Sequence, residues 1–129
     1  MSKKRILLID DEKDLCNITK LNLERTGKYD VTTAYSGREG LEKAKAEMFD
    51  LVITDFKMPG MDGQQVLEAL KAMRPQAPVV LFSVYHDDPG TVTIDIKTKA
   101  DGLIHKPIDH EQLCRVINDA LGGQEPTPS

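Results

Sequence analysis

Four short, nearly unbroken apolar runs punctuate the chain: RILLID (5–10), LVITD (51–55), VVLFS (79–83) and LIHK (103–106). Strands of a helix-covered parallel sheet are buried on both faces and read this way. A fifth run, YDVTTAY (29–35), alternates and carries polar residues, which suits an edge strand. Helical spacing fills the gaps. Leu15, Ile18 and Leu21 recur at one-turn intervals and predict the apolar stripe of a first helix. Ser36 and Glu39 form an S-x-x-E capping box that opens a second, with Leu41, Ala44 and Met48 along its stripe. Val66, Leu70 and Met73 mark a third, stopped by Pro75. Leu113, Val116, Ile117, Ala120 and Leu121 fit one helical face, with Asp109 and Gln112 at its start and Gly122-Gly123 at its end. The segment between the fourth and fifth strands, DDPGTVTIDIKTKADG (87–102), is rich in β-branched residues and predicts a short or irregular helix.

Strand and helix alternate throughout, giving a βαβαβαβαβα pattern. Such alternation predicts an α/β fold, a flavodoxin-like (βα)5 sandwich. Its five-stranded parallel sheet runs in the order 2-1-3-4-5, with helices on both faces.

Composition narrows the function. A chain of 129 residues, 40% hydrophobic and 29% charged, is one globular domain with a real core. Its formal net charge of −4 carries no nucleic-acid footprint. No apolar run approaches the roughly 18 residues that a membrane helix needs. The apolar run Ile6–Ile9 is too short for a signal peptide, so a cytoplasmic setting is expected. Cys16 and Cys114 are expected to be buried free thiols in a reducing compartment. Residues 1–121 read as one domain, and 122–129 (GGQEPTPS) as a flexible tail or linker.

In a parallel sheet all carboxyl ends share one edge, and ligands bind there at the switch point between strands 1 and 3. Strand 1 ends in Asp10-Asp11-Glu12, strand 3 in Asp55, strand 4 in Ser83 and strand 5 in His105-Lys106-Pro107. An N-cap role would explain one of the two aspartates; the sheet edge explains both. Two carboxylates ~5 Å apart repel by roughly 3 kcal/mol at an effective dielectric of about 20. Three on adjacent strands call for a counter-charge. A hard divalent cation with an incomplete protein shell fits, which favours Mg²⁺. With Lys106 as point charge and Ser83 as neutral donor, the edge can hold the equatorial oxygens of a phosphoryl group. The chemistry this predicts is attack of Asp55 on phosphorus, giving an aspartyl phosphate.

These motifs, LLIDDE, TDFKMPGMDG, the strand-4 serine and the KP after strand 5, resemble the receiver domain of bacterial response regulators over about residues 4–121. The resemblance implies that Asp55 accepts a phosphoryl group from the phosphohistidine of a sensor histidine kinase or histidine phosphotransfer protein. It implies Mg²⁺ bound by Asp11, Asp55 and the Lys57 backbone carbonyl, with Asp10 acting through water. Ser83 and Lys106 would hold the phosphoryl oxygens, and Lys106-Pro107 resembles the family's cis peptide. Tyr85 and Lys57 would flank the attacking water. The signal would pass to a downstream protein or an output domain through segment 87–102, the fifth strand and the last helix.

The chain departs from the family pattern in placing Val84 where a small residue is usual and Leu103 where an aromatic is usual. Both features leave open a degenerate receiver that only binds a partner. A haloacid-dehalogenase-like phosphatase would also use an aspartyl phosphate. Its nucleophile, however, follows strand 1 in a D-x-D arrangement, and it usually carries a cap domain.

Overall fold

In a computed structural model, the described residues are 3–56, 58, 60, 61, 63–84, 100–106 and 108–122, the side chains of Ser83 and Val84 excepted. The expected segment 87–102 falls mostly outside them, as does nearly all of the tail.

Five strands form one parallel sheet: β1 (Lys4–Ile9), β2 (Tyr29–Ala34), β3 (Leu51–Asp55), β4 (Val79–Val84) and β5 (Gly102–Lys106), in the order β2-β1-β3-β4-β5. This is the order expected from the alternation. Side chains alternate across the pleat and build a core on each side. Leu7, Ile9, Val52 and Leu81 pack with Val66, Leu67 and Leu70 on one face. Ile6, Leu8, Ile53, Val80, Phe82 and Ile104 pack with Leu23, Leu113 and Ile117 on the other. Ile6 to Ile9 are fully buried, as continuous apolar runs require. In β5, by contrast, only Ile104 and Lys106 are buried while His105 is exposed, because β5 is the sheet's second edge.

Four helices are described: α1 (Lys13–Glu24), α2 (Gly37–Ala46), α3 (Gly63–Met73) and α4 (His110–Ala120). The caps follow local chemistry. Ser36 Oγ accepts the Glu39 N–H at 3.1 Å, while the Glu39 carboxylate accepts from Tyr35 N, one residue outside the expected box. The Tyr35 N–H holds the Glu39 carboxyl below its ordinary range. Asp109 Oδ1 accepts from Glu111 N and Gln112 N and starts α4, and Gly122 follows that helix with φ +96°.

Three expectations need correcting. The buried face of α1 is Cys16, Thr19 and Leu23, while Ile18 and Leu21 are 56% and 51% exposed. Met48 lies beyond the end of α2 and is exposed; Phe49 is buried in its place. Cys114 is only half-buried, 3.6 Å from His110 Nε2, whereas Cys16 is buried, and burial pushes its thiol up to about 12. The two cysteines form no disulfide. Among the described residues no helix is long and apolar enough to cross a membrane.

Candidate functional site

The register of β1, β3, β4 and β5 ends the four strands together. Asp10 follows β1 directly, its N–H bonded to Ala34 O at 3.0 Å, and is fully buried. Asp55 is the last residue of β3 and Lys106 the last of β5; they are 5% and 8% exposed. Three strand ends thus deliver three ionisable groups to one edge with little contact to water. Asp11, on the turn into α1, is exposed. Neither aspartate is the N-cap of α1. That position belongs to Glu12, whose own N–H donates to Asp10 Oδ1 at 2.9 Å.

The ammonium of Lys106 lies 3.1 Å from Asp10 Oδ2, 3.1 Å from Asp55 Oδ2 and 3.3 Å from Glu12 Oε1. It also sits 5.9 Å from the centroid of the Phe82 ring, which forms the apolar floor beneath it. Carboxylate oxygens of Asp10, Asp11 and Asp55 all lie within 4.8 Å of one another. Hard oxygen donors this close suit a divalent cation of the Mg²⁺ class and match no soft-metal preference. The donor set therefore fits the expected ion.

Burial pushes the Asp55 carboxyl from its ordinary 3.8 up to about 6, with Asp10 and Asp11 adding to the rise and Lys106 opposing it. Burial also opposes the charge of Lys106, but Asp55 and Asp10 outweigh it and raise the amine above its ordinary value. Lys106 therefore stays cationic across physiological pH, and Asp55 is the group poised to take or lose a charge.

The start of α3 is tied to the end of β3. Phe56 N donates to Phe82 O at 2.8 Å, and Gly63 N to Phe56 O at 2.7 Å, so α3 begins against the strand that carries Asp55. Ser83 stands opposite His105 and Val84 opposite Lys106 in the β4–β5 register, which sets their backbones at the same edge. Their side chains, the Lys57 carbonyl, Tyr85 and Pro107 lie outside the described residues. Leu103 pairs with Leu81 and is partly buried against the core on the α2 and α3 side. Glu12 stands in sequence among the acids that end strand 1, and beyond its adjacency to Asp11 its contact with Lys106 is not signalled there.

A profile of the response regulator receiver domain matches residues 6–118. The chain belongs to that family. This receiver domain is 36% identical over 116 residues to the transcriptional regulatory protein ZraR of Escherichia coli (strain K12), covering 90% of this chain and 26% of that protein. It is 33% identical over 122 residues to the alkaline phosphatase synthesis transcriptional regulatory protein PhoP of Bacillus subtilis (strain 168), covering 95% of this chain and 50% of that one. The chain thus spans between about a quarter and a half of these relatives' lengths. Among solved structures, a CheY-like response regulator receiver domain protein from Methanospirillum hungatei JF-1 superposes with a TM-score of 0.86 at 33% identity, covering 95% of this chain and 97% of that one. The family match favours a receiver over the phosphatase alternative.

Proposed function

We propose that this receiver domain stores a signal as an aspartyl phosphate on Asp55, formed by transfer from the phosphohistidine of a sensor histidine kinase or histidine phosphotransfer protein. The observation that carries this reading is the buried Asp55 carboxylate, 3.1 Å from the Lys106 ammonium and grouped with Asp10 and Asp11. An Asp55 oxygen attacks phosphorus, the P–N bond to the imidazole breaks, and its electron pair returns to the ring nitrogen. Lys106 supplies N–H donors to the phosphoryl oxygens, and Ser83 a hydroxyl from the neighbouring strand. Asp10, Asp11 and Asp55, with the Lys57 carbonyl, would hold Mg²⁺. When bound, the ion neutralises charge on the phosphoryl oxygens and on the acid trio.

The test uses acetyl phosphate with Mg²⁺ and intact-protein mass. A single phosphoryl gain in the wild type, absent without Mg²⁺ and absent in Asp55→Asn, is expected. Equal gain in Asp55→Asn removes the assignment.

A protein donor has to reach the same edge. The α1 helix starts directly after Asp10-Asp11-Glu12, and its outward side carries Ile18 and Leu21, both more than half exposed. Apolar residues at such a place suit a partner helix. Ile18→Lys with Leu21→Lys should slow transfer from a phosphohistidine donor about tenfold or more, while uptake from acetyl phosphate stays at the wild-type rate. Time-resolved transfer with both donors checks this. Equal slowing with both would move the effect from docking to chemistry.

A further inference from the structure

A lysine ammonium has three N–H donors. In Lys106 three carboxylate oxygens compete for them: Asp10 Oδ2 at 3.1 Å, Asp55 Oδ2 at 3.1 Å and Glu12 Oε1 at 3.3 Å. The donors are fully committed. A phosphoryl oxygen that takes a hydrogen bond from Lys106 must displace one of these partners.

The three are not equivalent. The side chains of Asp10 and Asp55 are 1% and 7% exposed, and that of Glu12 is 61% exposed. A buried carboxylate stripped of its cation has neither partner nor water, whereas an exposed one is rehydrated at little cost. Asp10 is further tied down by the Glu12 N–H. Glu12 itself makes no side-chain capping bond to α1, so nothing in the helix start competes for its carboxylate. While the donor approaches and Asp55 is still the attacking carboxylate, Glu12 is the one of the three that can leave.

We infer that Glu12 is a positioning residue: a place-holder that occupies the Lys106 donor later used by the phosphoryl group and is exchanged for it. This rests on the reading of Asp55 as the phosphoacceptor. Glu12 then opposes the entry of the phosphoryl group before the bond to Asp55 forms, and so sets how fast, and against a fixed rate of loss how far, Asp55 fills at a given donor concentration.

The test incubates the full chain with acetyl phosphate and Mg²⁺ and follows the ratio of phosphorylated to unphosphorylated protein by intact mass. In the reaction an Asp55 oxygen bonds to phosphorus and acetate leaves with the electrons of the broken P–O bond. Two variants are compared with wild type: Glu12→Gln, which loses the charge, and Glu12→Asp, which keeps it but is one methylene too short to hold Lys106. Both should raise the ratio about two- to fivefold, the range for an exposed ion pair. The gain should shrink with added sodium chloride, since salt screens that pair, a response a merely structural role would not give. A rise in Glu12→Gln alone would mean that negative charge at the mouth repels the anionic donor, and would overturn the exchange. Unchanged ratios in both variants, with normal wild-type uptake, overturn this inference and leave the Asp55 reading standing. No wild-type uptake overturns both.

Discussion

Lys106→Met is expected to destabilise the metal-free protein by about 3 kcal/mol at pH 7 and by clearly less at pH 5. The methionine fills a similar volume, so the loss is electrostatic. Asp10 and Asp55 would keep their burial and lose their cation. The sign of the pH dependence follows from Asp55, whose carboxyl is raised from 3.8 to about 6 mainly by burial. A raised value means that the folded state binds this proton more tightly than the unfolded chain does. The stabilisation from it is complete below about 3.8 and is lost as pH rises through about 6. Lys106 is the principal group holding that value down, so the variant moves it further up. The penalty for ionising Asp55 then falls more heavily at pH 7, while at pH 5 a proton takes the place of the missing charge. Urea unfolding with chelator at pH 5, 6 and 7 measures the trend. Added Mg²⁺ should restore more stability to the variant than to wild type, because the trio of carboxylates then meets a cation it otherwise lacks. Phosphoryl uptake from acetyl phosphate should fall about 10- to 100-fold, the scale set by losing a donor to developing charge. A loss of equal size at pH 5 and pH 7 would show that packing, and not the acid cluster, depends on Lys106.

The parts of this molecule that were legible in its sequence are those where burial leaves no chemical freedom. The runs at 6–9 and 51–53 admit no polar residue because helices cover both faces of the sheet. The polar residues that end such runs therefore stand out, and Asp10, Asp55 and Lys106 meet where strand polarity sends them. The buried face of α1 departs from the expected stripe for a related reason. On a helix with 3.6 residues per turn, Leu15, Ile18 and Leu21 drift over an arc of about 120°, while Cys16, Thr19 and Leu23 fall within about 60°. The tighter arc faces the sheet, but it is built from a thiol, a hydroxyl and a single leucine, which a hydrophobic pattern passes over. The apolar residues that carried the pattern point outward, and that makes them informative about partners instead of about the core. Glu12 escaped notice because its contact with Lys106 spans 94 positions along the chain, and no local pattern records such a pair. Leu103 could be seen to differ from the family's usual aromatic. That it packs with Leu81 against the α2 and α3 side depends on register, which only the structure supplies.

Gly63→Ala is expected to cost about 3 kcal/mol and to slow phosphoryl uptake at least about tenfold, although the residue neither touches a ligand nor adopts a positive φ. A Cβ at this position would lie 2.6 Å from the Asp55 carbonyl oxygen and 2.6 Å from Phe56 Cα. Both are backbone atoms of the segment that presents Asp55, so no side-chain rotation relieves the overlap. Either α3 retreats and the 2.7 Å bond from Gly63 N to Phe56 O breaks, or the end of β3 shifts. The first route costs packing of Val66 and Leu67, which are fully buried. The second moves the Asp55 carboxylate relative to Lys106, and a displacement of about 1 Å can lower a reaction rate about 100-fold. Gly60 is the natural control. Its φ of +83° favours glycine, but a Cβ there meets nothing within 4 Å among the described residues. Gly60→Ala should therefore cost only about 1 kcal/mol and leave uptake near wild type. Thermal or urea unfolding, run beside acetyl phosphate uptake, separates the two substitutions. If Gly60→Ala proved the more damaging to uptake, the conformation of the loop, and not the close approach of α3 to β3, would be what holds the phosphoacceptor in place.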